Sequence, residues 1–285
     1  MSLVPSGVSV VIITTLHPLG YAKVLIQLGN EPVSPYLAKS PLWRKPQYYY
    51  PNVLQYIRHI KRRDGFFGLY RGLVPRILEG IVGSFVTQNV TEYMKKKYPI
   101  NENEEGPEVV VFFKHFALQS SQEVAAKTLA IMASQPLQVI ALRTMAQFVG
   151  QETLYRNIFV SVMEIYENEG FLGFYSGIIP RLLGDALAII LINLISDIIN
   201  RYFITEKEYK AYTAAISSLF VTQFTYPFEL VSRNMSVKPA RLLAAQNMPD
   251  YTDWLDCWRM LKQNGELHRG SKMFLRVAKK ATLER

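Results

Sequence analysis

The sequence predicts an all-α, multi-pass membrane protein, a bundle of three repeated helix pairs of which the last lacks its second helix. Two motifs recur at intervals of roughly 100 residues, and five stretches of about 20 residues are apolar enough to cross a membrane. The segment after Gly270 is short and basic. We predict a single membrane domain over residues 1–285, with repeats at 1–100 and 109–205 and an incomplete third repeat at 206–285.

The composition fits a membrane protein with polar connections. Of 285 residues, 49% are hydrophobic and 19% are charged, and the mean hydropathy is +0.06. A formal net charge of +9 combined with apolar runs favours anionic lipid headgroups as partners. The single cysteine, Cys257, excludes an intrachain disulfide. The N-terminus resembles neither a signal peptide nor a transit peptide, so we expect any targeting signal to be internal.

The five predicted spans all carry ionisable or amide side chains, which usually face a bundle interior or a wet cavity rather than lipid. Because such groups cost free energy in hydrocarbon, we expect the spans to pack around a polar interior. The spans lie at about Leu3–Leu28, Leu73–Tyr93, Ala125–Val149, Ile178–Phe203 and Tyr212–Val237.

Polar connections separate the spans. Val53–Arg63 has apolar residues at helical spacing with basic residues between them, which predicts a short amphipathic helix on the membrane surface. Arg156–Asn168 and Trp254–Gln263 have the same pattern. Glu31–Pro51 is rich in proline and tyrosine and is predicted to be a loop, and Asn101–Glu108 an acidic linker.

A proline motif and a glycine motif define the repeat. The proline motif reads PLGYAKVLIQ from Pro18, PLQVIALRTM from Pro136 and PFELVSRNMS from Pro227. The glycine motif follows these as DGFFGLYRG, EGFLGFYSG and NGELHRG. Because proline removes a backbone hydrogen bond, each of the three is predicted to kink its helix, and ordinary helix breaking is the alternative.

Three copies of these motifs in register resemble the mitochondrial carrier family of the solute carrier superfamily. The resemblance implies six helices around a threefold axis, with a short surface helix in each repeat. The segments YAKVLIQ, GLVPRIL, VIALRTMAQFVG and FYSGIIPRLLGD are similar to those of the mitochondrial carrier homolog proteins of the outer mitochondrial membrane. That similarity implies insertion of α-helical and tail-anchored proteins, phospholipid scrambling, and a receptor role for a pro-apoptotic effector protein.

The chain departs from the family pattern at its gate and at its end. The family closes its cavity with three ion pairs between repeats, and here only Lys23 with Glu229 retains both charges. The other gate positions hold Gly20, Gln138, Ala141 and Ser232. The residues after Gly270, SKMFLRVAKKATLER, would form a helix of only about 22 Å, which is short of the ~30 Å hydrocarbon core and too polar for it. A sixth membrane helix is therefore predicted to be absent.

Catalytic and metal-binding motifs are not evident in the sequence, so we predict no enzymatic activity, cofactor, metal or nucleic-acid partner. Cys257 is predicted to be a packing residue. Polar side chains instead follow one face of several spans, since residues three, four and seven apart share a helix face. Simple ion pairs four residues apart, Arg181 with Asp185 and Glu229 with Arg233, are the alternative interpretation. The predicted groove residues are Lys23, Glu79, Arg143, Asp185, Asn193, Asp197, Glu229 and Arg233.

The polar stripes and the missing helix together predict a groove open to lipid. Its cargo would be the polar tail of a client membrane protein or a phospholipid headgroup, and the sequence does not separate these two. A receptor or scaffold that uses the surface helices and the Glu31–Pro51 segment is an alternative. An inner-membrane solute carrier is disfavoured, because it needs working gates and a sixth helix.

Overall fold

The computed structural model describes residues 7–39, 46–100, 106–202 and 207–278. It confirms an all-α protein, to which it adds a small sheet. Nine α-helices lie within the described residues: α1 Gly7–Gln27, α2 Val53–Gly68, α3 Leu73–Lys97, α4 Glu108–Ala146, α5 Ile158–Glu169, α6 Ile178–Tyr202, α7 Lys207–Val237, α8 Leu243–Gln246 and α9 Trp254–Gln263.

The five long helices, α1, α3, α4, α6 and α7, occupy the five predicted spans. Three helical segments in the described residues are long and apolar enough to cross a membrane by themselves: Val10–Gln27, Glu108–Ala146 and Phe171–Tyr202. Helices α3 and α7 are not among these three, because their polar side chains lower the mean hydropathy of the helix. These two helices pack closely on α4 and α6, respectively.

Helix α4 begins at Glu108 and not near Ala125, where the third span was predicted to start. Polar residues in its N-terminal half interrupt the apolar pattern, but they have partners in the bundle. Asn193 on α6, for example, donates a hydrogen bond to Glu123 on α4 at 2.9 Å. With 39 residues, α4 is about 58 Å long, which exceeds the hydrocarbon core.

The three predicted surface helices form as α2, α5 and α9. Each begins with the same N-cap, in which an Asn or Asp side chain accepts a hydrogen bond from the backbone N–H three residues later. The caps are Asn52, Asn157 and Asp253. The prolines of the repeat lie inside the odd members of the long-helix series, Pro18 in α1, Pro136 in α4 and Pro227 in α7.

A glycine at the end of each glycine motif docks that repeat onto the next. The three glycines have positive φ angles of 78°, 75° and 80°, which favour glycine, and the built Cβ of each would lie within 3.1 Å of a neighbouring repeat. The contacts run around the bundle, so the third repeat meets the first: Gly72 lies against Ala141 and Met145, Gly177 against Ser232 and Ser236, and Gly270 against Gln27 and Ile26.

A three-stranded antiparallel sheet joins the first repeat to the third. Its strands are β1 Tyr36–Ala38, β2 Gln47–Tyr50 and β3 Arg276–Val277, in the order β1–β2–β3. The prediction of a loop over Glu31–Pro51 is therefore wrong for the residues of β1 and β2. Residues 271–278 form an irregular segment and β3, so the described part of the tail contains no sixth helix, and residues 279–285 lie outside it.

Cys257 lies in α9 and is buried against Leu230, Val231 and Leu261. Burial raises the pKa of its thiol to about 12. Because a reactive cysteine needs an accessible thiolate, the side chain acts here as a small packing group.

Candidate functional site

A polar cavity of about 270 Å³, which we term the central cavity, lies between α3, α4, α6 and α7. Three acidic and three basic side chains line it together with amides and hydroxyls. Of the predicted groove residues, Glu79, Asp185, Glu229 and Arg233 lie here. The remaining polar lining residues are Arg76, Gln138, Arg181, Thr222, Thr225, Tyr226 and Ser232.

Glu79 is the most buried acid of the central cavity, at 8% exposure, and it is neutralised by two arginines. Arg76 donates to one carboxylate oxygen at 3.0 Å, and Arg181 donates to the other at 2.8 Å. Arg181 also donates to Gln135 on α4 at 2.8 Å. A buried carboxylate needs such partners, so this cluster ties α3, α4 and α6 together.

Asp185 is more accessible, and its side chain is 37% exposed. Its partner is Lys127 on α4, with Nζ 3.5 Å from the carboxylate. Arg181, one turn earlier on α6, donates to Glu79 and not to Asp185. An unpaired carboxylate costs more free energy when it is buried than when it is half-exposed. Asp185 therefore keeps a partly exposed carboxylate that lines the cavity.

Glu229 lies between two cations. Arg233, four residues later on α7, approaches to 2.5 Å, and Nζ of Lys23 on α1 lies 3.9 Å away. The structure thus brings Lys23 and Glu229 within ion-pair distance and also forms the local pair. A second cavity of about 400 Å³ adjoins the central cavity, shares Arg76, Glu229 and Arg233 with it, and adds Lys23.

Arg143 was assigned to the groove, and the structure places it elsewhere. Its side chain is fully buried. It donates to both carboxylate oxygens of Glu169, at 2.5 and 2.8 Å, and to the backbone carbonyl of Ser236 at 2.9 Å. Arg143 is therefore a clamp between α4, the end of α5 and α7, and it does not line the central cavity.

Asn193 and Asp197 also lie away from the central cavity, farther along α6. Asn193 donates to Glu123 and lies 3.3 Å from the hydroxyl of Ser120. Asp197 lines a separate open cavity of about 610 Å³ between α4 and α6. Arg201 lines the same cavity and stacks over Phe112 at 5.1 Å. These residues belong to the opposite end of the bundle from the surface helices.

The predicted list of groove residues left out several residues of the site. Arg76 and Arg181 lie on the polar faces of their spans, and their equivalent places in the segments LVPRIL and IIPRLL are the signal that could have added them to the list. Gln138 occupies an acid position of the family gate, and its buried side-chain carbonyl oxygen has no hydrogen-bond partner among the described residues. Lys127 carries no comparable signal, because only the packing of α4 on α6 brings it to Asp185.

Helices α1 and α7 are held together through their C-terminal halves. Gln27 donates to the hydroxyl of Tyr226 at 2.8 Å, Arg233 donates to the Gln27 side chain, and Asn234 donates to its backbone carbonyl at 3.2 Å. Arg269 adds a hydrogen bond to the same carbonyl at 2.7 Å. We term this cluster the hub.

The N-terminal halves of α1 and α7 leave large apolar side chains exposed. Leu16 on α1 is 52% exposed, and Leu219 and Phe220 on α7 are 70% and 66% exposed. Thr222, on the same stretch of α7, is exposed and lines the central cavity. We call the space between these half-helices the lateral gap, since the hydrogen bonds and ion pairs between α1 and α7 in the described residues all lie beyond it.

Three repeats, a proline inside each odd-numbered span and a polar cavity between the long helices define a carrier-type membrane protein. The family model for the mitochondrial carrier protein matches residues 3–102 and 118–207. The chain therefore belongs to the mitochondrial carrier family and is a mitochondrial membrane protein.

Within this family, the predicted resemblance to the carrier homolog proteins is confirmed. The chain is 37% identical over 273 residues to mitochondrial carrier homolog 2 of Homo sapiens, across 91% of this chain and 89% of that protein. It is 34% identical over 287 residues to mitochondrial carrier homolog 1 of Mus musculus, across 91% and 72%. The mitochondrial thiamine pyrophosphate carrier 1 of Neurospora crassa is 24% identical over 253 residues, across 83% and 72%.

Proposed function

We propose that this protein is an insertase of the mitochondrial outer membrane for α-helical, including tail-anchored, proteins, and that it also scrambles phospholipids. The observation that supports the proposal is a charged central cavity bordered by a lateral gap in the helix ring. The outer-membrane location rests on the similarity to the mitochondrial carrier homologs. The process needs no covalent chemistry, cofactor or nucleotide.

The energetic argument concerns the polar tail of the client. A charge at the centre of a bilayer costs from about 3 to more than 10 kcal/mol, depending on the measure. Asp185 and Glu229 offer carboxylates that are 37% and 36% exposed within the bundle, and Lys23 offers an ammonium that is 29% exposed. Fixed charges in a hydrated cavity lower the cost of moving a polar group past them.

The driving force is burial of the client's apolar helix. Removing apolar surface from water contributes about 25 cal/mol per Å², so a segment of about 20 apolar residues strongly favours the membrane once its tail has crossed. A phospholipid headgroup would use the same polar path, which is why scrambling accompanies insertion in this proposal.

A receptor role for a pro-apoptotic effector protein is the second candidate. Phe67 in α2 and Phe159 in α5 are 88% and 83% exposed, so the surface helices present aromatic side chains at one end of the bundle. Such exposed side chains suit docking to another protein, and also contact with lipid headgroups. A solute carrier is less well supported, because Lys23 with Glu229 is the single gate pair that keeps both charges.

Replacing Asp185 by asparagine is expected to slow insertion of a reporter with a basic tail by roughly three- to tenfold relative to a reporter with a neutral tail, which corresponds to about 1 kcal/mol on the barrier. The reason is that the variant removes an accessible negative charge from a cavity that keeps its arginines. Insertion into proteoliposomes measures the ratio, and Glu167→Gln, at an exposed acid on α5, is the matched control.

An unchanged ratio at equal protein content would count against a role of Asp185 in guiding the tail. The same proteoliposomes report flipping of a fluorescent phospholipid. Flipping without insertion in the unaltered protein would assign the central cavity to lipid alone, and crosslinks of clients confined to the surface helices would favour the receptor.

A further inference from the structure

The third glycine motif docks like the first two but is followed by a different structure. Gly72 and Gly177 are each followed directly by a long helix, α3 and α6. Gly270 packs against Gln27 and Tyr226 with the same positive φ, yet residues 271–278 leave the bundle as an irregular segment ending in β3. We term residues 271–278 the strap.

Backbone hydrogen bonds fasten the strap to the first repeat. The N–H of Val53, at the start of α2, donates to the carbonyl of Met273 at 2.9 Å. The N–H of Ala278 donates to the carbonyl of Tyr48 at 2.8 Å. Between these bonds, β3 pairs with β2 in an antiparallel register that places Tyr49 opposite Val277.

Arg276 is the anchoring side chain of the strap, at only 7% exposure. Its guanidinium donates to the carbonyl of Pro51 at 2.8 Å and to the carboxylate of Glu31, and it stacks over Tyr50 at 5.4 Å. Glu31 follows closely after the end of α1. Burial raises the pKa of Glu31, so its charged form depends on the nearby guanidinium. The anchor therefore connects the end of the third repeat to the chain leaving α1.

Outside Arg276, the strap is only partly packed: Ala278 is buried and Met273 lies against the core, but other side chains are exposed. A cavity of about 420 Å³ lies against it, lined by Gly29, Glu266, His268 and Leu275 among others. Phe274 and Val277 are 65% and 50% exposed. A short surface segment held by a few backbone hydrogen bonds, one charge pair and two packed apolar side chains belongs to the less stable part of a fold, which opens locally before the core does.

We propose that the strap is a releasable tie between the first and third repeats that limits the width of the lateral gap. Within the described residues, Arg269 of the hub and the strap connect the chain beyond α7 to the first repeat, and α1 and α7 border the gap. Release of the strap leaves the hub and the Lys23–Glu229 ion pair to hold the two helices together, so the gap widens. That a wider gap admits cargo more readily rests on the insertase function proposed above.

Spin-label distances across the gap test this directly. Nitroxides are attached at Leu16→Cys and Leu219→Cys, both exposed positions, in a Cys257→Ala background in lipid nanodiscs. Arg276→Glu should shift the distance distribution to longer values by several ångströms and broaden it. The charge swap Glu31→Arg with Arg276→Glu should return it towards the original distribution. Lys272→Glu, which makes the same charge change at an exposed strap residue, should leave it unchanged.

Arg276→Gln is a milder variant for use if Arg276→Glu does not fold, and it should shift the distances in the same direction. Unchanged distances in folded Arg276 variants would overturn the proposal, and so would an equal shift in Lys272→Glu. The distances require no insertion activity. A wider gap with unaltered insertion would therefore support the strap as a tie between the two repeats and would contradict the proposed function.

Discussion

Arg143→Met is expected to destabilise the protein by about 3–5 kcal/mol, because it leaves the carboxylate of Glu169 buried without its partner. Arg143 is fully buried, and the Glu169 side chain is only 14% exposed. The substitution also removes the hydrogen bond to the carbonyl of Ser236, so the contact between the second and third repeats loses a polar tie. Chemical unfolding in detergent, followed by fluorescence, measures the change.

Two further variants separate charge burial from packing. Arg62→Met removes an exposed arginine on α2 and should change stability by less than about 0.5 kcal/mol. Adding Glu169→Gln to Arg143→Met should recover part of the loss, because the unpaired charge disappears. If Arg143→Met is as mild as Arg62→Met, the buried clamp does not hold these repeats together.

Gly177→Ala is expected to lower the free energy of unfolding by at least about 3 kcal/mol. The loss is the sum of backbone strain at a positive φ and a steric clash. Its φ is +75°, and a Cβ there would lie 2.3 Å from the carbonyl oxygen of Ser232 and 2.6 Å from the hydroxyl of Ser236. The backbone of α7 would have to move away from the start of α6. Thermal unfolding of the purified protein in detergent reports the loss.

Gly170→Ala is the matched control, because Gly170 has a φ of +69° with no atom within 4 Å of the added Cβ. With a ψ of −162° it should show backbone strain alone, about 1–3 kcal/mol. Equal losses at the two glycines would mean that repeat docking does not depend on close approach at Gly177.

The helices could be predicted because their signals are local. Apolar runs, the repeated prolines and the amphipathic spacing of the surface helices are all read within about 30 residues, and the structure forms helices at each of these places. The sheet could not be predicted in this way. Strand β3 pairs with β2 more than 200 residues earlier, and two residues of strand carry no periodicity of their own.

The candidate site was only partly predictable, for a related reason. Helical periodicity places residues on one face but does not say which neighbour that face meets. Arg143 is a polar residue inside a span, but its side chain binds Glu169 and the α7 backbone and does not line the central cavity. Asp185 was predicted as a groove residue, while its partner Lys127 emerges only from the packing of α4 on α6.

Site-specific photocrosslinking tests the central proposal, that the central cavity carries cargo. A photoreactive residue at Thr222 reports on the cavity lining, and one at the exposed Phe159 on α5 reports on the surface helices. Both proteins are reconstituted at equal content and checked for equal insertion. During insertion of a tail-anchored client, we expect adducts with the client tail at Thr222 and few at Phe159. Adducts at Phe159 without any at Thr222, while insertion proceeds normally, would contradict the proposal.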